Sequence, residues 1–127
     1  MKVLAIDDDK ERYSYFERLI ARKSMQIDFN VACCPIHVNA QIEQADVIFL
    51  DYDLDGYCPY HNGLKGESYL DEIIKHKKPT IVTSMNTRGG VLLYTRLREA
   101  DIEVALIRAS EVEPELKWLG WIFLNLV

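Results

Sequence analysis

Short apolar runs alternate along the chain with longer amphipathic segments, and this alternation restricts the fold more than any other feature. The apolar runs have four to six residues, as fully buried strands do, and lie at 3–6, 27–32, 47–50, 80–83 and 103–107. The segments between them show helical spacing and predict helices at 10–22, 38–44 and 67–75, after Gly89 and Gly90, and at 114–126. Strands that are apolar on both faces need helices on both faces. The sequence therefore predicts an α/β fold with a doubly wound, five-stranded parallel sheet.

Proline, glycine and capping residues mark the expected boundaries of these elements. Asp9 is expected to cap the first helix. Pro35 is expected to break the chain before the second helix, and Gly89 and Gly90 to precede the fourth. Residues 51–65 are expected to form a long loop on the way to the third helix.

Length and composition indicate one domain, covering residues 1–127, with 49% apolar and 28% charged residues. Three cysteines, two of them adjacent, form no disulfide framework, so we expect a reducing cytoplasm. The first apolar run is too short for a signal peptide, and no run approaches the roughly 20 residues of a membrane span. A net charge of −5 argues against a nucleic-acid polymer as partner. A nucleotide, an RNA end or another small anion could still meet local basic groups.

Acidic side chains follow two of the predicted strands. Asp7, Asp8 and Asp9 come after the first strand, and Asp51 and Asp53 come after the third. The carboxyl ends of parallel strands meet at one edge, where such sheets bind ligands. Clustered carboxylates repel one another unless a cation lies among them, and hard oxygen ligands favour Mg²⁺, Mn²⁺ or Ca²⁺ over zinc. The alternative is that these acids are solvated loop residues and helix caps.

Polar and cationic side chains follow the other strands at the same edge. Thr83, Ser84 and Asn86 come after the fourth strand, and Arg108 comes after the fifth. Hydroxyls and a cation opposite the acids suit an oxyanion that bridges to a metal ion. Arg88 lies where a helix begins, and its guanidinium with the free N–H groups there could hold an anion.

Several motifs resemble the receiver domain of two-component response regulators over almost the whole chain. They are Val-Leu-Ala-Ile-Asp-Asp-Asp, Val-Ile-Phe-Leu-Asp-x-Asp-Leu, a glycine (Gly66) that opens a helix, and Thr-Ile-Val-Thr-Ser. The resemblance implies a flavodoxin-like, receiver-like sheet with strand order 2-1-3-4-5. It also implies that Asp7 and Asp8 are the acidic magnesium pair, Asp51 the phosphoacceptor and Thr83 the switch hydroxyl. In receivers a lysine stands where this chain has Arg108, which keeps the charge but presents a planar fork.

A narrower resemblance is to the cyclic-phosphate processing receivers. Their pattern is similar to Asp7-Asp8-Asp9-Lys10-Glu11-Arg12, Leu50-Asp51-Tyr52-Asp53-Leu54 and Thr83-Ser84-Met85-Asn86. It implies that Asp53 joins the metal ligands with Asp51, and that Arg12, Ser84 and Asn86 bind phosphate, to which the position of Arg88 at a helix start adds a further candidate. Two histidines of that family are replaced here, by Tyr52 and Thr83. Histidine is the usual acid–base group near neutral pH.

Three functions stay open on these residues. The first is a stand-alone signalling or binding domain that carries a metal ion and accepts a phosphoryl group on Asp51, with Thr83 and Arg108 assisting. The second is metal-dependent processing of cyclic or terminal phosphate esters, in which Asp51 and Asp53 position metal and water. The third is a pseudo-receiver that acts only by contact with a partner protein. The last predicted helix is apolar on more than one face, and Trp118 and Trp121 could form a homodimer there.

Overall fold

Strands and helices alternate as predicted in the computed structural model, which describes residues 1–22, 27–32, 35–54 and 64–107. The elements are β1 Lys2–Ile6, α1 Lys10–Arg22, β2 Asp28–Val31, α2 Pro35–Gln44, β3 Val47–Leu50, α3 Leu70–Lys75, β4 Thr80–Val82, α4 Thr87–Glu99 and β5 Val104–Leu106. A 3-10 helix, Gly66–Tyr69, leads into α3. The predicted helix 114–126, Arg108, Trp118, Trp121 and most of the loop after Asp51 lie outside the described residues.

All five strands are parallel and pair in the order β2-β1-β3-β4-β5, which confirms the predicted doubly wound sheet. The ladder continues past the strand ends: the N–H of Asp51 donates to the carbonyl of Ile6, and the N–H of Thr83 to that of Leu50, both at 3.0 Å. The backbone therefore holds the residues that follow β1, β3 and β4 side by side at one edge of the sheet.

Both faces of the sheet are buried, because successive side chains of a strand point to opposite sides. On one face, Leu4, Ile48 and Val82 pack with residues of α2, α3 and α4. On the other face, Phe49 packs against Phe16 of α1, with ring centroids 5.4 Å apart and an interplanar angle of 89°. The edge-to-face geometry is a favoured one for aromatic pairs.

Two predicted helix boundaries were wrong, and both involve residues that were read as breakers. Pro35 begins α2 instead of interrupting the chain before it. Proline is well tolerated in the first turn because the N–H that it lacks has no partner there. Gly89 and Gly90 lie inside α4, whose cap is Asn86. None of the helices in the described ranges has the length and hydrophobicity that crossing a bilayer requires.

Candidate functional site at the carboxyl edge of the sheet

Three carboxylates meet where β1 and β3 end. Asp7 and Asp51 are buried, and Asp8 is half-buried. Each of the three offers one oxygen such that these atoms all lie within 4.8 Å of one another. The predicted meeting of acids from two strands is thus present. It follows from strand pairing, since β1 and β3 are direct neighbours in register.

The guanidinium of Arg12 lies directly on these acids. Its Nε donates to Asp7 Oδ2 at 2.7 Å, and its Nη2 donates to Asp7 Oδ1 at 2.8 Å and to Asp51 Oδ2 at 2.6 Å. The position of Arg12 is set by the start of α1, where Asp9 Oδ1 accepts the N–H groups of Glu11 and Arg12. The predicted cap at Asp9 is therefore confirmed, and it places the arginine over the strand ends.

Burial changes the electrostatics of the two inner acids. Burial, and after it the charge of Asp7, raise the pKa of Asp51 to about 7, against the opposing effects of Arg12 and the N–H of Tyr52. Burial also raises the pKa of Asp7, although hydrogen bonding by Arg12 opposes the shift. Burial would lower the pKa of Arg12, but its hydrogen bond and charge interaction with Asp7 raise it above the ordinary value. A second cation at Asp51 would favour the ionised carboxylate.

Tyr52 packs its ring between two elements beside the site. A Cβ atom at Gly89, in the first turn of α4, would overlap the Cγ and Cδ atoms of the Tyr52 ring. The ammonium of Lys65 lies 5.7 Å from the centroid of the same ring. Tyr52 therefore makes an aromatic contact with α4, which sequence reasoning did not find. The adjacent glycines in the chain were the available signal.

Gly89→Ala is expected to lower the free energy of unfolding by about 2 kcal/mol, because the added methyl meets the inner atoms of the Tyr52 ring. Gly90→Ala is the matched control. Its Cβ would lie 3.4 Å from Leu106 Cδ1, an ordinary contact, and alanine favours the helix by roughly 1 kcal/mol over glycine. Urea denaturation of both variants measures the difference, and equal stabilities would contradict the proposed contact.

Asp53 lies apart from the three clustered acids. Its Oδ1 accepts from Lys65 Nζ at 3.2 Å, and its Oδ2 accepts from Asn86 Nδ2 at 3.3 Å. Asp53 and Lys65 also form an isolated antiparallel bridge. Asp53 thus connects Lys65, at the other end of the long loop, with Asn86 at the start of α4. Its role as a metal ligand stays a prediction.

The residues after β4 have distinct positions. The hydroxyl of Thr83 is buried and is without a hydrogen-bond partner within the described chain. Ser84 Oγ accepts the N–H of Asn86 at 3.1 Å, and Asn86 Oδ1 accepts the N–H of Gly89 at 2.9 Å. Ser84 and Asn86 therefore shape the start of α4, while Arg88 is exposed in its first turn. Phosphate binding by these three side chains stays a prediction.

A cleft of about 270 Å³ opens over the site, lined by Asp8, Asp9, Arg12, Asp51, Asp53, Met85 and Asn86. Met85 was not predicted as a site residue, although its place in the short segment between β4 and α4 was a usable signal. A second cleft of about 270 Å³ lies between β1, β2 and α2 and is lined by residues such as Lys2, Asp28 and Gln41. Asp8 and Asp51 of the three-acid cluster line the cleft over the site, which is therefore the better candidate for chemistry of the two clefts.

Comparison with known proteins shows the fold. No family model matches the chain, and no curated protein matches it in sequence. Among solved structures it is similar to a response regulator receiver domain from Rhodospirillum rubrum, with a TM-score of 0.70, 13% identity, and coverage of 100% of this chain and 96% of that one.

Two further solved structures give the same result. One is the BeF3-activated N-terminal receiver domain of RstA from Klebsiella pneumoniae, with a TM-score of 0.65, 16% identity, and coverage of 98% of this chain and 97% of that one. The other is the N-terminal domain of a response regulator/sensory box/GGDEF 3-domain protein from Carboxydothermus hydrogenoformans, with a TM-score of 0.70, 17% identity, and coverage of 99% and 95%. The chain therefore has the fold of response-regulator receiver domains.

Proposed function

We propose that the chain is a receiver-like signalling or binding domain in which Asp7, Asp8 and Asp51 hold a divalent metal ion and Asp51 accepts a phosphoryl group. The observation that carries this proposal is the convergence of three carboxylates within 4.8 Å at the ends of adjacent strands. Acids that only cap helices need not converge from two strands, since their mutual repulsion in a buried place is costly unless a cation lies among them.

The donor set fits a hard dication. Carboxylate oxygens at a half-open edge, with space left for water and substrate oxygens, are the ligands that Mg²⁺ favours, and Mn²⁺ or Ca²⁺ would accept the same set. A bound dication supplies positive charge for the oxygens of a transferring phosphoryl group.

Asp51 is the acid best placed to act as nucleophile, because it directly follows the central strand β3 and lines the cleft. In the transfer, a carboxylate oxygen forms a bond to phosphorus while the bond from phosphorus to the donor's leaving oxygen breaks, and that oxygen keeps the electron pair. Only ionised Asp51 can attack, so a pKa near 7 makes the reaction depend on cations that favour the carboxylate.

Two further side chains assist in this proposal. The Thr83 hydroxyl follows β4, is buried, and has no partner within the described residues, so it is free to donate to a phosphoryl oxygen. Arg108, which follows β5 in the sequence, would carry the positive charge that a lysine carries in receivers.

Processing of cyclic or terminal phosphate esters, on a nucleotide or an RNA end, is the second candidate. Its support is that one cleft is lined by side chains of both kinds that the reaction needs, the acids Asp51 and Asp53 and the phosphate-binding candidates Arg12 and Asn86. In that reaction Asp51 and Asp53 would position metal and water, and the polar residues would hold the phosphate. Tyr52, in the place of a family histidine, is half-buried against Gly89, so this position lacks the imidazole that usually serves as acid and base.

Incubation with Mg²⁺ and a small acyl phosphate tests the first candidate. We expect intact-protein mass spectrometry to detect one added phosphoryl group, and we expect beryllofluoride with Mg²⁺ to form a stable adduct. Both results should be lost in Asp51→Asn and retained in Asp53→Asn, the matched control from the same loop. Thr83→Val should keep its stability and form less adduct, because the hydroxyl that it lacks has no hydrogen-bond partner among the described residues.

A parallel incubation with a 2′,3′-cyclic nucleotide separates the alternatives. Product formation that depends on both Asp51 and Asp53 would support the ester-processing reaction instead. If neither the adduct nor the product forms with any divalent ion, both chemical proposals are wrong, and a pseudo-receiver that acts by protein contact is what remains.

A further inference from the structure

We propose that Arg12 is a built-in cation that competes with a divalent metal ion for the carboxylates of Asp7 and Asp51. Metal binding would then require the guanidinium to leave them. This inference deepens the proposed function and rests on it, since it takes the acidic cluster to be the metal site.

The hydrogen bonds of Arg12 use the oxygens that a metal ion would need. The guanidinium engages both oxygens of Asp7 and one oxygen of Asp51, at 2.6 to 2.8 Å. Asp51 Oδ1, the remaining oxygen, accepts the N–H of Tyr52 at 2.8 Å. In this arrangement each carboxylate oxygen of Asp7 and Asp51 already accepts a hydrogen bond, and a metal ion has to displace or share those donors.

Burial makes the competition strong. The side chain of Arg12 is 11% exposed, and those of Asp7 and Asp51 are 2% and 4% exposed. Two buried, ionised carboxylates without a cation would be strongly destabilising, so a positive group stabilises the ionised site in either state. The guanidinium meets that need in the metal-free protein, and a dication would meet it in the loaded protein.

The exchange would need only a change in the Arg12 side chain. The backbone of Arg12 is held in the first turn of α1 by the Asp9 cap, whose Oδ1 accepts the N–H of Arg12 at 3.2 Å. Arg12 also lines the cleft over the site, with Met85 and Asn86 on the same cleft. A displaced guanidinium would therefore remain at the cleft, where it could meet a phosphate oxygen.

Calorimetric titration with Mg²⁺ and electron paramagnetic resonance titration with Mn²⁺ test this inference on the full chain. Arg12→Gln is expected to bind either ion at least about tenfold more tightly than wild type, because the competing charge is gone. Arg18→Gln is the matched control, since Arg18 is exposed on the same helix. Its affinity should equal that of wild type.

Thermal melting gives a second readout. In a chelator, Arg12→Gln should melt at a lower temperature than wild type, because its buried carboxylates lack a counterion. Mg²⁺ should raise its melting temperature by more than it raises that of wild type. If Arg12→Gln folds only when Mg²⁺ is added, that result also supports the exchange.

Other results would overturn the inference. Equal or weaker metal binding by Arg12→Gln would mean that Arg12 only orders the carboxylates, and the proposed metal site would stand. If wild type and both variants fail to bind either ion, the metal site itself is wrong. If Arg12→Gln folds neither in a chelator nor with Mg²⁺, the metal affinity of Arg12→Lys tests the competition instead. A lysine cannot bridge both acids, so unchanged affinity in that variant contradicts competition.

Discussion

Asp51→Asn protein without metal is expected to be more stable than wild type at pH 8, by roughly 2 to 4 kcal/mol in the free energy of unfolding. The advantage should shrink as the pH falls toward 4. The reason is that folding buries the Asp51 carboxyl and raises its pKa from 3.8 to about 7. Ionising this group in the folded protein is therefore unfavourable, and asparagine removes the ionisation.

The sign follows from the protons bound in each state. Below about pH 4 the carboxyl is protonated in both states, and the folded protein keeps the full stability of the neutral group. Between about pH 4 and 7 the unfolded chain releases the proton while the folded protein retains it, so wild-type stability falls as the pH rises. Above the folded pKa of about 7 the loss is complete. The raised pKa of Asp7 acts in the same direction.

Urea denaturation in a chelator, at several pH values between 4 and 8, measures this effect. Asp53→Asn is the control, because the Asp53 side chain is half exposed, at 50%, and pairs with Lys65 outside the cluster. That variant should not show the gain at pH 8. If the proposed metal site is correct, Mg²⁺ should reduce or reverse the advantage of Asp51→Asn at pH 8. A pH-independent difference would contradict the burial of an ionisable Asp51.

Gly66→Ala is expected to destabilise the protein by about 3 kcal/mol or more. The added methyl would meet backbone atoms, and a side-chain rotation cannot relieve that overlap. A Cβ at Gly66 would overlap the carbonyl oxygen of Asp51. The two segments are already tied, since the N–H of Gly66 donates to the carbonyl of Tyr52 at 2.7 Å. Relief therefore requires the backbone at Asp51 to shift, and we expect metal affinity to fall with stability.

Gly90→Ala serves as the control for this change as well. Gly90 is buried like Gly66, but its added methyl would meet Leu106 at an ordinary contact distance of 3.4 Å. Chemical denaturation and Mn²⁺ titration of both variants give the comparison. If Gly66→Ala had the stability and metal affinity of the wild type, the backbone at Gly66 could move away from Asp51, and the prediction would be wrong.

Element order and the location of the acidic cluster followed from the sequence because apolar periodicity records burial. The run 47–50 is apolar on both faces, and it is a central strand buried at every position. Once the strands are parallel, their carboxyl ends must share an edge, so Asp7 and Asp51 meet. The wrong boundaries came from Pro35 and Gly89, where one residue type can stop a helix or lie in its first turn.

Contacts between distant segments did not follow from the sequence. Arg12 and Asp51 are 39 positions apart, and their 2.6 Å hydrogen bond depends on how α1 crosses the end of β3. The packing of Tyr52 on Gly89 likewise depends on the distance between the loop after β3 and the start of α4. Residue types and local periodicity predict which groups reach the edge of the sheet. Which of them pair there depends on side-chain packing between elements, for which one-dimensional spacing carries no signal.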